Sequence, residues 1–132
     1  MKLLIEALKC KESPELALDA AWALNEMARK NVLLCGWIRE AGGQQALQES
    51  LVVYSQHREH VDCCMWLLLM VAGPMGLLQL LRLEQLPQEV VLAVLQVMRK
   101  ELKRAGFLHF YVELEDMRAY CEVLWVGYGY RL

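Results

Sequence analysis

One short run holds four side chains of the types that bind metals or attack carbonyls: His57, His60, Cys63 and Cys64. Positions 57, 60 and 64 fall near one face if the segment is helical, so a zinc site is chemically conceivable there. Ligands drawn from a single helix rarely close a tetrahedron, and no second cluster complements these four. His109 and Cys121 are the only distant candidates. The simpler reading is a polar helix start that runs into a buried pair of thiols. Cysteine–histidine catalysis needs a third group to orient the base and a donor for the oxyanion, and the pattern supplies neither. The carboxylates Glu113, Glu115 and Asp116 cluster as acid–base pairs do, but read as a solvated face. "AGG" and "VAGPMG" lack the Lys-Ser/Thr of a phosphate loop, and "GYGY" is not followed by a helix. An enzyme is not expected, and neither a cofactor nor a metal is called for.

Composition narrows the class further. The chain has 132 residues, enough for one domain or a few repeat units around a real core. It is 57% hydrophobic and 23% charged, with only three prolines, which favours an all-α fold. The net charge of −2, with both signs interspersed, argues against a nucleic-acid binder held by a broad basic surface. The richest basic run, "RKELKR" from Arg99 to Arg104, contains Glu101 and suits an exposed helix end. Five cysteines without disulfide-like spacing fit free thiols in a reducing compartment, hence the cytoplasm, with the nucleus left open. The start "MKLLIEALKCKES" has no apolar core of a signal peptide. Cys63–Leu78 carries no charge, but a span needs about 20 apolar residues and Gly73-Pro74 breaks this one. Two buried soluble helices are the preferred reading, with a membrane anchor through residues 63–81 as the alternative.

Helix signals recur along the chain. Apolar spacing marks a helix in "MKLLIEALK"; Ser13 as N-cap and Pro14 at the first turn open a second, running to about Arg29. "NVLLCGWIREAGG" is a short helix stopped at Gly42-Gly43, "QQALQESLVVYS" another, and "QHREH" opens one that runs to Ala72. "MGLLQLLRL" follows, then a longer helix from Pro87 to about Arg104, closed by Gly106. "FLHFYVELEDMRAYCEVLW" is expected to form a last helix and "VGYGYRL" a frayed tail.

Trp22 and Trp66 lie 44 residues apart, and that offset carries an internal repeat. Ala17, Ala20, Ala21, Leu24 and Ala28 align with Val61, Cys64, Met65, Leu68 and Ala72, all apolar and all at helical spacing, so each set predicts one inward stripe. A period of roughly 40–47 residues with two or three helices per unit belongs to armadillo and HEAT solenoids. "SPELALDAAWALNEMARKN" followed by "IREAGGQQALQESL" resembles the armadillo repeat: a proline-led third helix, then a short helix, a glycine turn and a leucine-rich second helix. The resemblance is good over residues 1–73 and weaker over 74–106, where the short first helix is lost; little of it remains beyond Phe107.

The resemblance implies an armadillo-like right-handed α-solenoid segment of about two to three repeats. It divides into a partial repeat 1–30, a repeat 31–73 and a degenerate repeat 74–106, followed by a C-terminal helix and tail over 107–132. The chain would begin inside a repeat, as a piece of a longer array, a short isoform, or an oligomer joined through exposed repeat ends. In armadillo proteins the third helices line a groove where similar tryptophans contact extended peptides and an asparagine one turn on bonds the peptide backbone. Here Glu26 stands four residues after Trp22, with Asn25 one place early, and Met70 takes the matching place after Trp66. This departs from importin-like binding of basic extended peptides. Trp22, Asn25, Glu26, Arg29, Trp66 and Met70 are thus the expected partner-binding residues of a protein-interaction scaffold, since aromatics and Met are enriched at binding hot spots. One competing reading packs both tryptophans between neighbouring third helices; another is a purely structural fragment whose apolar faces complete a larger array or a homodimer.

Overall fold

The computed structural model describes residues 1–112, with side chains described to residue 100. Within these limits the chain is all-α. Six helices follow one another: α1 Lys2–Leu8, α2 Pro14–Lys30, α3 Leu33–Glu40, α4 Gly43–Val53, α5 Arg58–Leu81 and α6 Gln88–Val112.

Local chemistry sets these boundaries. The Ser13 hydroxyl accepts from the Leu16 N–H at 3.2 Å, and Pro14 with Glu15 fills the first turn of α2. Arg29 and Lys30 close that helix, and Asn31 turns the chain out in an extended conformation. The Asn31 side chain then accepts from the Leu33 N–H at 3.0 Å and starts α3. Between α3 and α4, Gly42 takes a φ of 85°. Gly43 lies so close to Ile38 that an added Cβ would sit 2.6 Å from the Ile38 carbonyl oxygen.

α5 has a break inside its range. Gly73 sits at φ 67° and ψ −170°, a backbone conformation essentially restricted to glycine, directly before Pro74. The proline ring bars residue 73 from the helical region, so two helical segments meet at an angle. By length and apolar content α5 could cross a membrane, but more than half of its most apolar window is buried against other helices.

Gly106 does not close α6, which runs on to Val112. Glycine weakens a helix by about 1 kcal/mol but keeps its backbone N–H, so it does not force a stop. The expected separate helix from Phe107 is therefore joined to α6 as far as residue 112, and the rest of that segment, the tail included, lies outside the described residues.

The tertiary arrangement centres on α5. It packs along α2 and α6, with α3 and α4 also against it; α1 packs on α2 and touches α4. The two helix starts lie together, because Pro14, Glu15 and Leu18 face His57–His60 across one small cavity. Farther along, Asn25 meets Cys63, and Arg29 shares a groove with Met70. α2 and α5 therefore run side by side in the same direction. The Tyr54 hydroxyl, at the end of α4, donates to the Cys10 carbonyl in the turn after α1.

The two aligned stripes supply the seam. Ala17, Ala20, Ala21, Leu24 and Ala28 are all buried, as are Val61, Cys64, Met65 and Leu68, while Ala72 is half-buried against the same core. Each fully buried large aliphatic side chain, such as Met65 or Leu68, contributes about 1.5–3 kcal/mol relative to exposure. The core is continuous from Ile5 on α1 to Met98 on α6.

Candidate functional site

With α2 and α5 parallel and their apolar stripes facing inward, the residues one step around each helix open onto a shared groove of about 550 Å³. Trp22, Asn25 and Arg29 form the α2 wall; Trp66 and Met70 stand on the α5 wall. Trp22 is 45% exposed and Trp66 36%, so neither indole is enclosed between the helices. Each keeps part of its ring against the protein and part open to the groove.

Asn25 is buried, and its side-chain amide donates to the Cys63 carbonyl at 3.4 Å, bridging α2 to α5 across the groove floor. It also lies 3.5 Å from the Cys63 sulfur. Glu26 does not line the groove; its carboxylate accepts from the Arg29 guanidinium at 3.0 Å along the helix surface. Five of the six expected residues thus meet at one groove, and the sixth braces a member of it.

Glu59, Asp62 and Cys63 belong to the same groove and were not anticipated there. Their signal is the spacing itself: 59, 62, 66 and 70 follow one helical face, as 22, 25 and 29 do on α2. Acidic residues at a helix start read as solvated, and Cys63 reads as one of two buried thiols, so composition hid them. Burial raises the Cys63 thiol above its ordinary pKa, opposed by the bond from Asn25, with Glu59 adding to the rise. The thiol at the groove floor is therefore protonated at neutral pH.

The remaining histidine and thiol are placed elsewhere. His60 is 2% exposed, with Nε2 2.6 Å from the Ser50 hydroxyl and 3.3 Å from the Cys64 sulfur. Its ring meets Tyr54 edge to face at 5.2 Å, and Nδ1 has no hydrogen-bond partner. Burial, then the nearby His57, lowers the His60 pKa to about 4. Burial, then Cys63, raises Cys64 well above the usual thiol value, only partly offset by the Ser50 hydroxyl. The serine, the neutral imidazole and the protonated thiol are in contact and almost wholly buried, and the thiol is not activated as a nucleophile. Their evident work is to join α4 to α5 inside the core.

Cys10, Cys35, Cys63 and Cys64 are free thiols, and among the described residues no group of three or more His, Cys, Asp or Glu side chains is arranged to hold a metal ion. The acidic trio Glu113, Glu115 and Asp116, and Cys121, lie outside the described residues. A second apolar patch, formed by Val32, Leu33 and Trp37 at α3, is open to solvent; Trp37 is 60% exposed. Comparison with protein-family models, with curated proteins and with solved structures finds no match to this chain.

Proposed function

We propose that this chain is a non-enzymatic protein-interaction scaffold, an armadillo-like solenoid segment of two to three repeats that docks a peptide or helix on the surface formed by α2 and α5. The observation that carries this reading is the pair of half-exposed tryptophans opening onto one groove between parallel helices. A monomeric chain that spends two tryptophans this way loses apolar burial it could have had, and aromatic anchors in concave sites are where binding energy concentrates. The parallel packing of α2 on α5, the contact of α1 with α4, and the burial of both aligned stripes support a repeat unit stacked on its copy. The free thiols are consistent with a reducing, cytoplasmic setting.

The test compares affinity capture by the wild-type chain with capture by Trp22→Ala and Glu26→Lys, alongside thermal unfolding of each. A partner lost from Trp22→Ala while the melting temperature holds supports a groove. Identical capture by all three sinks it. Partitioning of the chain into a carbonate-resistant membrane pellet would favour the anchor through residues 63–81 instead.

A further inference from the structure

We infer that the groove accepts an amphipathic α-helix with a basic flank, not an extended strand. The inference rests on the docking surface proposed above and concerns the class of partner it fits.

Hydrogen-bond accounting decides the backbone geometry of the occupant. An extended peptide buries N–H and C=O groups that must find partners in the site, either a sheet edge or a ladder of side-chain amides. The α2–α5 groove has neither. Among the described lining residues the one amide is Asn25, whose NH2 donates to the Cys63 carbonyl, which leaves a single acceptor oxygen and no ladder. At the next position Glu26 holds Arg29, and on α5 the corresponding place is the Met70 thioether, a weak acceptor and no donor. Glu59 and Asp62 accept only, and the two indoles donate only. A helix arrives with its backbone bonds made internally and asks the groove for apolar contact alone.

The dimensions agree. On α5 the groove runs from Glu59 to Met70, 11 helical rises and so roughly 16 Å of helix axis. Three turns of a docking helix cover that length and present side chains at i, i+4, i+7 and i+11 to Trp22, Trp66 and Met70.

Charge sets the flank. Arg29, the one cation on the walls among the described residues, is compensated by Glu26 at 3.0 Å. Asp62 stands 4.0 Å from Arg58 in an exposed pair, and Glu59 has no cationic partner among the described residues. The open charge at the α5 start is acidic, which favours Lys or Arg on the incoming helix. The exposed indole faces add a cation–π site for the same groups.

Two displayed peptide libraries, panned on the full chain, test this. One is an alanine-based helical scaffold randomised at i, i+4, i+7 and i+11 and at both flanks; the other is a linear library held extended by flanking prolines. The expected result is selection from the helical library, with Leu, Met or Phe on the stripe and Lys or Arg at one flank. Affinity of those peptides should fall at least tenfold on Trp22→Ala or Trp66→Ala and at least threefold on the exposed Glu59→Lys, whose fold is checked by circular dichroism. Groove-dependent peptides from the linear library alone, helical peptides with acidic flanks, or affinity untouched by Glu59→Lys would overturn the inference and leave the docking surface standing. No peptide from either library sensitive to Trp22→Ala or Trp66→Ala would overturn the docking surface itself.

Discussion

The Asn25 side chain reaches from α2 to the Cys63 carbonyl of α5, 3.4 Å away and 38 residues along the chain. It is one of the contacts that tie together the two helices whose outer faces make the groove. A polar side chain buried in an otherwise apolar seam is tolerated because it is hydrogen-bonded.

Asn25→Ala is expected to lower stability by about 1 kcal/mol, the net worth of one buried neutral hydrogen bond. The Cys63 carbonyl keeps its place in the α5 backbone ladder, so no acceptor is orphaned. Asn25→Asp should cost more, because a buried carboxylate would face a carbonyl oxygen. Urea unfolding midpoints of the three proteins at neutral pH check the order.

Acid should destabilise the fold through His60. Its folded pKa of about 4 lies below the ordinary 6.5, so between those values the unfolded chain binds a proton that the folded chain refuses. Stability from this group is full above pH 6.5, falls as the pH drops through the window, and is lost by about pH 4. The integrated effect is about 3 kcal/mol at 1.36 kcal/mol per unit. Measured between pH 7 and 4.5, His60→Gln should show a shallower decline than the wild type. Parallel curves would sink the assignment.

Three glycines should respond differently to alanine. At Gly43 an added methyl meets the Ile38 carbonyl oxygen at 2.6 Å, and overpacking of this kind costs about 1–3 kcal/mol. Gly73→Ala meets no neighbour but must hold φ at 67°, with a strain cost of about 1–3 kcal/mol. Gly36 lies within α3 with nothing near a new Cβ, so Gly36→Ala should stabilise by about 0.5–1 kcal/mol. Thermal melts should show a loss at Gly43 and Gly73 and a gain at Gly36; a gain at Gly43 or Gly73 would contradict the strain.

Removing an indole from the groove should cost less than removing a seam residue. Trp22 and Trp66 are partly solvated already, and Met65 and Leu68 are fully buried. Met65→Ala and Leu68→Ala should each lose about 2–5 kcal/mol. Trp22→Ala and Trp66→Ala should fall well short of the roughly 3–5 kcal/mol typical of a core tryptophan. Chemical unfolding measures all four; a full core penalty at Trp22 would return it to the interior.

Much of this architecture is legible residue by residue. Ser13-Pro14 opens α2, Gly42-Gly43 separates α3 from α4, and Gly73-Pro74 breaks α5, because caps, positive φ and a missing N–H act within one turn. Gly106 misleads for the same local reason: it lowers helix propensity without forbidding the helix, and α6 continues through it. The inward stripes from Ala17 to Ala28 and from Val61 to Ala72 follow from periodicity alone. Trp22, Arg29, Trp66 and Met70 are placed on outer faces by that same period, whereas nothing in the types of Glu59 and Asp62 distinguishes them from other acidic residues near a helix start.

By itself, then, the sequence determined most helix starts and stops, the end of α6 excepted, and which side of each helix is apolar, since those depend on neighbours within about four residues. Only the tertiary structure decided that Asn25 is committed to Cys63, that Glu26 turns to Arg29, that His60 lies sealed between Ser50 and Cys64, and that two tryptophans share one groove. These pairings between helices depend on the direction and register in which α2, α4 and α5 pack. Register is set by the sum of many contacts between segments distant in the chain, which the period of a single helix does not encode.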